Sequence, residues 1–171
     1  MADVLEDLLA DGLRIVFCGT RPGIASAARQ AYYAKPGNRF WRTLHEVGLT
    51  PRLFAADEYR LLLPLGIGLT DLAKTSAGQD STLSAAELHI DRLRASLERH
   101  GPKCLAFTSK NAAELALGRR NLRFGLLDER FCGIETHVLP STSGLATSHW
   151  DIAPWQALAW RVKEEKRHAA A

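Results

Sequence analysis

Apolar and polar positions along the chain follow two periods, which alternate from one end to the other. Four runs are short and nearly continuous in apolar residues, which is typical of strands buried on both faces. They are Leu13–Gly19, Gly66–Leu72, Lys103–Ser109 and Glu135–Leu139. Between and after these runs, apolar residues recur at helical spacing. Strands that alternate with helices through short connections predict an α/β fold, with a mostly parallel sheet covered by helices on both faces.

Several of the helical segments carry start and stop signals. Residues 57–66 predict a short helix that Pro64 ends. Ser84 and Glu87 form a capping box, which predicts the start of another helix. The last helix is predicted to begin near Asp151 and to bury one apolar face against the sheet.

Three polar loops follow predicted strand ends. They are Thr20–Lys35, Thr70–Thr82 and Ser141–Asp151. In open parallel sheets, ligands bind outside the carboxyl ends of the strands. We therefore expect the three loops to converge and to form the functional site.

The composition is that of an ordinary globular protein. Of 171 residues, 46% are hydrophobic and 24% are charged, and this length indicates one domain, residues 1–171. No apolar run approaches the ~20 residues of a membrane-spanning helix, and the acidic, amphipathic start is unlike a secretory signal. The cysteines Cys18, Cys104 and Cys132 form no C-x-x-C pair. Their spacing gives no support to a zinc ribbon or a four-cysteine iron–sulfur site and fits a reducing cytoplasm.

The positive charge of the chain is concentrated in one stretch. The whole chain carries +3, yet residues 12–45 hold six basic residues and no Asp or Glu. The six are Arg14, Arg21, Arg29, Lys35, Arg39 and Arg42. A patch of one sign beside a turn is typical of proteins that bind a phosphate-rich partner. A solvated surface that happens to be basic is the alternative.

Two turns after predicted strands hold candidate site residues. In G-T-R-P-G, the residues Gly19, Pro22 and Gly23 permit a tight turn whose backbone groups can read a flat polar ligand. An ordinary turn has the same pattern, and the segment is not a Walker phosphate-binding loop. Asp71 lies at the end of the second apolar run, flanked by Leu69 and Leu72. A carboxylate there acts in catalysis within a shielded pocket or caps a turn.

Leu145 stands alone as an apolar residue in the polar segment Leu139–Trp150. In a structural loop, such a leucine is tucked inward. In an enzyme that acts on nucleic acid, it is pushed between base pairs as a wedge.

Aromatic and basic residues interleave between residues 29 and 42. In one interpretation, Tyr32 or Tyr33 stacks on a base while neighbouring cations contact phosphates. The cations concerned are Lys35, Arg39 and Arg42. Phe40 and Trp41 are instead predicted to lie in the core.

Four segments together resemble one known family. They are G-T-R-P-G with the later Y-Y-A-K-P-G-N-R-F-W, then G-L-T-D-L, F-T-S-K-N-A-A-E-L and V-L-P-S-T-S-G-L-A-T. Their order and spacing, over residues 13–160, resemble the mismatch-specific uracil/thymine DNA glycosylases of the uracil-DNA glycosylase superfamily. The resemblance implies a three-layer α/β/α sandwich around a four-stranded parallel sheet. It also implies base excision repair, in which uracil or another damaged base is flipped out of DNA and its N-glycosidic bond is hydrolysed.

The resemblance also assigns roles to single residues. Tyr33 falls where the family stacks an aromatic ring on the flipped base, and Gly144 and Leu145 fall where it fills the gap in the duplex. The base-binding positions are Thr20, Ser26, Tyr33 and Ser141, and the DNA-binding positions are Arg39, Lys110, Ser143, Gly144 and Leu145.

Two positions depart from the family pattern. Arg21 stands where the family has its catalytic Asn, and Ser141 stands where another Asn opens the last loop. An arginine stays protonated and cannot act as a general base. Asp71 is the natural replacement, since a carboxylate stabilises positive charge on the deoxyribose and orients the attacking water. Arg21 then stabilises the departing base anion or holds a phosphate.

The sequence-based hypothesis is a monofunctional DNA glycosylase of the bacterial cytoplasm, with DNA as its partner and no membrane association. It needs no metal or other cofactor, because water is the nucleophile and no cluster of metal ligands is visible in the spacing. A catalytically weak or inactive binder of uracil-containing or damaged DNA is the alternative. A hydrolase of free nucleosides or nucleotides is a third candidate, which the basic stretch and Leu145 disfavour.

Overall fold

A five-stranded sheet with the order β2-β1-β3-β5-β4 forms the centre of the computed structural model, which describes residues 1–170. The strands are β1 (Ile15–Gly19), β2 (Ile67–Asp71), β3 (Cys104–Phe107), β4 (Gly125–Leu126) and β5 (Glu135–Val138). β2, β1, β3 and β5 pair in parallel, whereas β4 pairs antiparallel with β5. The predicted α/β/α fold is confirmed. The four predicted strands form its parallel part, and the two-residue β4 adds an edge that the sequence did not indicate.

Helices cover both faces of this sheet. The α-helices are α1 (Ile24–Arg29), α2 (Phe40–Glu46), α3 (Ile90–His100), α4 (Lys110–Leu117) and α5 (Ala153–Ala169). The 3-10 segments are Ala56–Leu65, Asp80–Thr82, Ala85–Glu87 and Thr147–His149. α1 lies within a stretch that was predicted to be a loop.

Two predicted helix boundaries were wrong. The Ala56–Leu65 helix continues one residue past Pro64 and is capped by Gly66, whose φ of +78° favours glycine. The capping box at Ser84 does form, with its backbone N–H donating to Glu87 Oε2 at 2.7 Å. It starts only a single 3-10 turn, because α3 begins later, at Ile90.

The core lies on both faces of the sheet, as the continuous apolar runs predict. In β1, Ile15 and Phe17 pack into one hydrophobic cluster, and Val16 and Cys18 pack into the other. On the first face, the ring of Trp155 from α5 stacks on Phe17 with centroids 5.6 Å apart. This two-sided burial fixes the strand ends, which carry the polar residues described below.

The N-terminal segment covers the free edge of β2. Leu8 and Leu69 exchange backbone hydrogen bonds of 2.9 Å in each direction, as in an antiparallel pair. Within residues 1–170, no helix combines the length and the apolar character that crossing a membrane requires.

The three predicted loops converge at the carboxyl ends of the strands. Thr20 C=O accepts a hydrogen bond of 2.8 Å from the Ala73 N–H, which joins the first loop to the second. Just beyond the first loop, the Arg39 N–H donates to Thr142 C=O at 2.8 Å, which joins it to the third. These contacts confirm the predicted convergence of the loops, and the position of the site at this end of the sheet stays a prediction.

Candidate functional site

Three polar side chains meet above the ends of β1, β2 and β3. Gly19, the last residue of β1, pairs in register with Asp71, the last residue of β2, and Thr108 follows β3. A Cβ atom on Gly19 would lie 2.5 Å from Asp71 Oδ1, 3.2 Å from Tyr33 Oη and 3.5 Å from Thr108 Oγ1. We call the space that these four residues share the strand-end pocket. It lies where the chain connections diverge between β1 and β3, which is the usual ligand position in such sheets.

The Asp71 carboxyl group is buried, with 6% of the residue exposed. Burial raises its pKa from 3.8 to about 7, and the nearby charges of Asp7 and Asp80 act in the same direction, whereas Lys74 lowers it. No group in residues 1–170 donates a hydrogen bond that would offset this shift. A carboxyl group that changes charge near neutral pH inside a pocket is typical of a catalytic position.

The cation nearest to this carboxyl group is already neutralised. Lys74 Nζ, whose side chain is 2% exposed, donates to Asp7 Oδ1 at 2.6 Å and to Thr70 Oγ1 at 2.7 Å. The Thr70 hydroxyl donates to the same Asp7 oxygen at 2.7 Å. This closed network leaves the charge of Asp71 without a dedicated partner.

Tyr33 is held in one orientation. Its ring stacks on Phe40 with centroids 3.9 Å apart, and its hydroxyl hydrogen-bonds to Thr108 Oγ1 at 3.0 Å. The backbone of Tyr33 has a φ of +52°, which is uncommon for a bulky residue and is maintained only where surrounding contacts enforce it. The structure therefore brings Tyr33 to Asp71, as the sequence predicted. Phe40 is buried behind it, as was also predicted.

The two other predicted base-binding residues on this side bind the protein itself. Thr20 Oγ1 donates to Asp80 Oδ2 at 2.9 Å, and this Asp80 oxygen also accepts a hydrogen bond of 2.9 Å from Asn111 Nδ2. Ser26 is buried in α1, and its Oγ accepts the backbone N–H of Ala34 at 3.1 Å, which shapes the turn that carries Tyr33. Their base-binding roles stay predictions.

Arg21 points into the β2–α3 loop, which comprises residues 72–89. Its side chain is only 3% exposed. It donates to Ser76 Oγ at 3.3 Å and Glu87 Oε1 at 3.4 Å, and it also bonds Gln79 C=O and Thr82 Oγ1. Its Nε is buried and has no partner among residues 1–170. The predicted contact of Arg21 with substrate stays a prediction.

The β5–α5 loop, residues 139–152, is fastened to the turn before α2. Arg39 Nη1 donates to Ser143 C=O at 3.4 Å, and its guanidinium lies 5.2 Å from the ring centroid of Trp150. A Cβ on Gly144 would lie 3.4 Å from Gly37 C=O, so the two backbones pass close together. These contacts hold the tip of the loop, where Leu145 is 73% exposed. A protruding leucine is consistent with the wedge and not with a tucked-in side chain.

Two predicted residues lie at the margins of the site. Ser141 Oγ accepts the backbone N–H of Ser143 at 3.2 Å and thus shapes the base of the same loop. Lys110 opens α4 at this edge of the sheet, and its Nζ lies 4.3 Å from the ring centroid of Phe124. It contacts none of the pocket residues described above. Its DNA-binding role stays a prediction.

Sequence reasoning missed three members of the site. Thr108 falls in the F-T-S-K-N-A-A-E-L segment of the family resemblance, but nothing in that segment singles it out as a site residue. Asp80 and Asn111 lie 31 residues apart and give no local pattern, although Asn111 falls in a segment that contributed to the family resemblance. Each becomes recognisable once the strand order places the β2 and β3 ends on either side of β1.

A cluster of potential metal ligands lies at the opposite end of the sheet. The ligand atoms of Cys104, Glu135 and His137 lie within 4.8 Å of one another. The expectation that no such cluster exists was wrong, because β3 and β5 are adjacent and bring distant residues together. Arg161 donates to both Glu135 oxygens, at 2.5 and 2.8 Å, and His137 bonds the same carboxylate at 2.9 Å. The carboxylate therefore already has partners.

Comparisons with known proteins agree with this fold. A family model described as the uracil DNA glycosylase superfamily matches residues 6–161 of the chain. The fold is also similar to a solution NMR structure of a proposed uracil DNA glycosylase from Methanosarcina acetivorans, with a TM-score of 0.66. The two sequences are 25% identical, and the match covers 93% of this chain and 96% of the other. The matched region includes the whole strand-end pocket.

Proposed function

Because the chain belongs to the uracil DNA glycosylase superfamily, we propose that it excises uracil from DNA by hydrolysing the N-glycosidic bond. This reaction opens base excision repair and requires the target base to be flipped out of the duplex. The observation that carries the proposal is the buried Asp71 carboxyl group, which lies against Gly19 and Tyr33 at the carboxyl ends of the strands.

The proposed reaction is favoured by a negative charge at the position of Asp71. When the bond between the sugar and the base breaks, its electron pair leaves with the base and positive charge develops on the deoxyribose. An ionised Asp71 stabilises that charge and orients the water that adds to the sugar carbon. The water proton is released and the base is protonated, so the products are free base and an abasic site in an intact strand. This assigns a monofunctional mechanism.

The proposal extends to the finer assignment. Within the superfamily, the chain is proposed to be most similar to the mismatch-specific uracil/thymine enzymes. Arg21 occupies the position of their catalytic Asn, and Asp71 takes over the role of that Asn. Tyr33 stacks on the flipped base, and the exposed Leu145 enters the gap. The free cysteines fit a cytoplasmic site of action.

A strand-cleavage assay tests the function. We expect alkali-labile sites in U·G and U·A duplexes that carry one uracil, and none in the same duplexes with cytosine or thymine at that position. Uracil should be released as the free base. Tight, uracil-dependent binding without alkali-labile sites would instead identify a non-catalytic binder. Release from free deoxyuridine that is insensitive to salt would identify a nucleoside hydrolase.

Truncation of the loop tip tests the wedge. We expect Leu145→Ala to slow excision from duplex DNA by about tenfold, because about 1.4 kcal/mol of flipped-state stabilisation is lost. Excision from single-stranded DNA should change little, since no stacked partner has to be displaced. Leu61→Ala, which truncates another exposed leucine, is the control. Equal losses on duplex and single strand would rule out the wedge.

A further inference from the structure

The partners of Arg21 all lie in one segment of the chain. Its guanidinium bonds Ser76, Gln79, Thr82 and Glu87, which are spread along the β2–α3 loop. Two of its acceptors are side-chain hydroxyls, one is a carbonyl and one is a carboxylate. An arginine that binds the phosphates of a partner is expected to be exposed. The Arg21 side chain is only 3% exposed, and its guanidinium is already bonded to these four acceptors.

The loop is shaped to receive this side chain. A Cβ on Gly78 would lie 2.9 Å from Arg21 Nη2, and Gly78 has a φ of +147° that favours glycine. The Gly78 N–H donates to Pro22 C=O at 3.0 Å, next to Arg21 in the chain. Glu87 is itself fixed by the Ser84 N–H and hydroxyl, at 2.7 and 3.0 Å. The guanidinium and the loop thus fit each other closely.

The same loop carries Asp80 to the rim of the strand-end pocket. One Asp80 oxygen accepts bonds from both Thr20 and Asn111, each at 2.9 Å. Thr20 follows Gly19 directly, so this carboxylate lies beside the pocket and its charge acts on Asp71. Asp80 lies between Gln79 and Thr82, two residues that Arg21 bonds, so the contacts of Arg21 flank this carboxylate in the chain.

We propose that Arg21 is a positioning residue, which holds the β2–α3 loop and thereby keeps the Asp80 carboxylate at the rim of the strand-end pocket beside Asp71. The position that resembles the family's catalytic Asn is then used for architecture in this chain. The catalytic consequence rests on the proposed function, whereas the positioning does not, and the experiments below separate the two.

Hydrogen–deuterium exchange measures the positioning without any activity. In Arg21→Ala, the amides of residues 73–83 should exchange at least about tenfold faster than in the parent protein, because their tertiary anchor is lost. Arg21→Lys should give an intermediate rate, since one ammonium cannot reach all four acceptors. Arg52→Ala, which removes an arginine bonded to Glu58 at 2.6 and 3.0 Å, is the matched control and should leave the loop unchanged. Unchanged exchange in Arg21→Ala would overturn the proposal.

An NMR titration of the Asp71 carboxyl carbon shows whether each variant raises or lowers the pH midpoint of Asp71. Lys74, Asp7 and Asp80 act on the charge of Asp71. The titratable side chains of Tyr33, Tyr32 and Cys18 also interact with it. Asp80→Asn removes an anion and should lower the midpoint, and Arg21→Ala should shift it in the same direction by releasing Asp80. If Arg21 faced Asp71 directly, loss of its positive charge would raise the midpoint, and that result would contradict the proposal.

The rate of uracil excision then reports the consequence for catalysis. At about pH 9, where the Asp71 carboxyl group is ionised in every variant, Arg21→Ala and Asp80→Asn should each lower kcat by about tenfold, because the rim of the strand-end pocket is no longer held in place. The double variant should be no slower than either alone, because both changes remove one arrangement. Multiplicative losses would indicate that Arg21 contacts the substrate separately. If excision is absent from the parent protein but exchange and titration behave as stated, the proposed function fails and the positioning role stands.

Discussion

We expect the Asp71→Asn variant to excise uracil at least about 10²-fold more slowly than the parent protein, since one well-placed electrostatic group contributes ~3 kcal/mol to such a step. Asparagine keeps the size of the side chain but carries no charge, so it cannot stabilise the developing cation on the sugar. Binding should be little affected, because Asp71 is buried, with only 6% of the residue exposed. Single-turnover rates on a U·G duplex measure the loss.

The pH dependence makes this prediction specific. Because the pKa of Asp71 is about 7, the rate should rise with pH through that value and then level off as the carboxylate ionises. In Asp71→Asn, the residual rate should lose this rise. Asp91→Asn, at an exposed position in the first turn of α3, is the control and should keep both rate and profile. An unimpaired rate in Asp71→Asn would show that a group other than Asp71 stabilises the positive charge on the sugar.

The same substitution should stabilise the fold above pH 7. Asp71 has a pKa near its ordinary 3.8 in the unfolded chain and about 7 in the folded protein. Well below pH 3.8 the carboxyl group is protonated in both the folded and the unfolded protein, so it does not change the unfolding free energy. As the pH rises past 3.8 towards 7, ionisation favours the unfolded chain, at a cost of about 4 kcal/mol once complete. The unfolding free energy of Asp71→Asn should exceed that of the parent protein at pH 8 and approach it at pH 4. Lost activity in a more stable variant cannot result from misfolding.

The sequence predicts the position of this carboxyl group for a physical reason. Strands buried on both faces are nearly continuous apolar runs, so the end of such a run marks the strand end. Gly19 and Asp71 each occupy such a position, and parallel strands place both at the same edge. The exposed Leu145 is visible in the same way, as an apolar residue without a periodic partner.

The partners of these residues are not encoded locally. A sequence shows that Arg21 is charged, but the acceptors that enclose it lie 55 to 66 positions away. The bond from Thr20 to Asp80 spans 60 positions, and the bond from Tyr33 to Thr108 spans 75. Such pairs depend on the strand order and on how each loop folds back, which periodicity does not determine. α1 escaped prediction for a related reason, since a six-residue helix is too short to display a period.

Gly19→Ala should lower the excision rate by about 10²-fold, because a displacement of 1 Å at a reacting group has effects of this size. The added methyl group would lie 2.5 Å from Asp71 Oδ1 and 3.2 Å from Tyr33 Oη. The carboxylate is the free end of a side chain, so it moves aside while the strand stays in register. We therefore expect a large loss of kcat with a small change in melting temperature.

Gly23→Ala is the matched control within the same G-T-R-P-G segment. Nothing lies within 4 Å of a Cβ at Gly23, and its φ of −72° suits any residue. Its excision rate should equal that of the parent protein. If Gly19→Ala were equally active, the point shared by Asp71, Tyr33 and Thr108 would have no part in catalysis. If both variants lost activity, the segment would act through its flexibility and not through the close approach of Gly19 to Asp71.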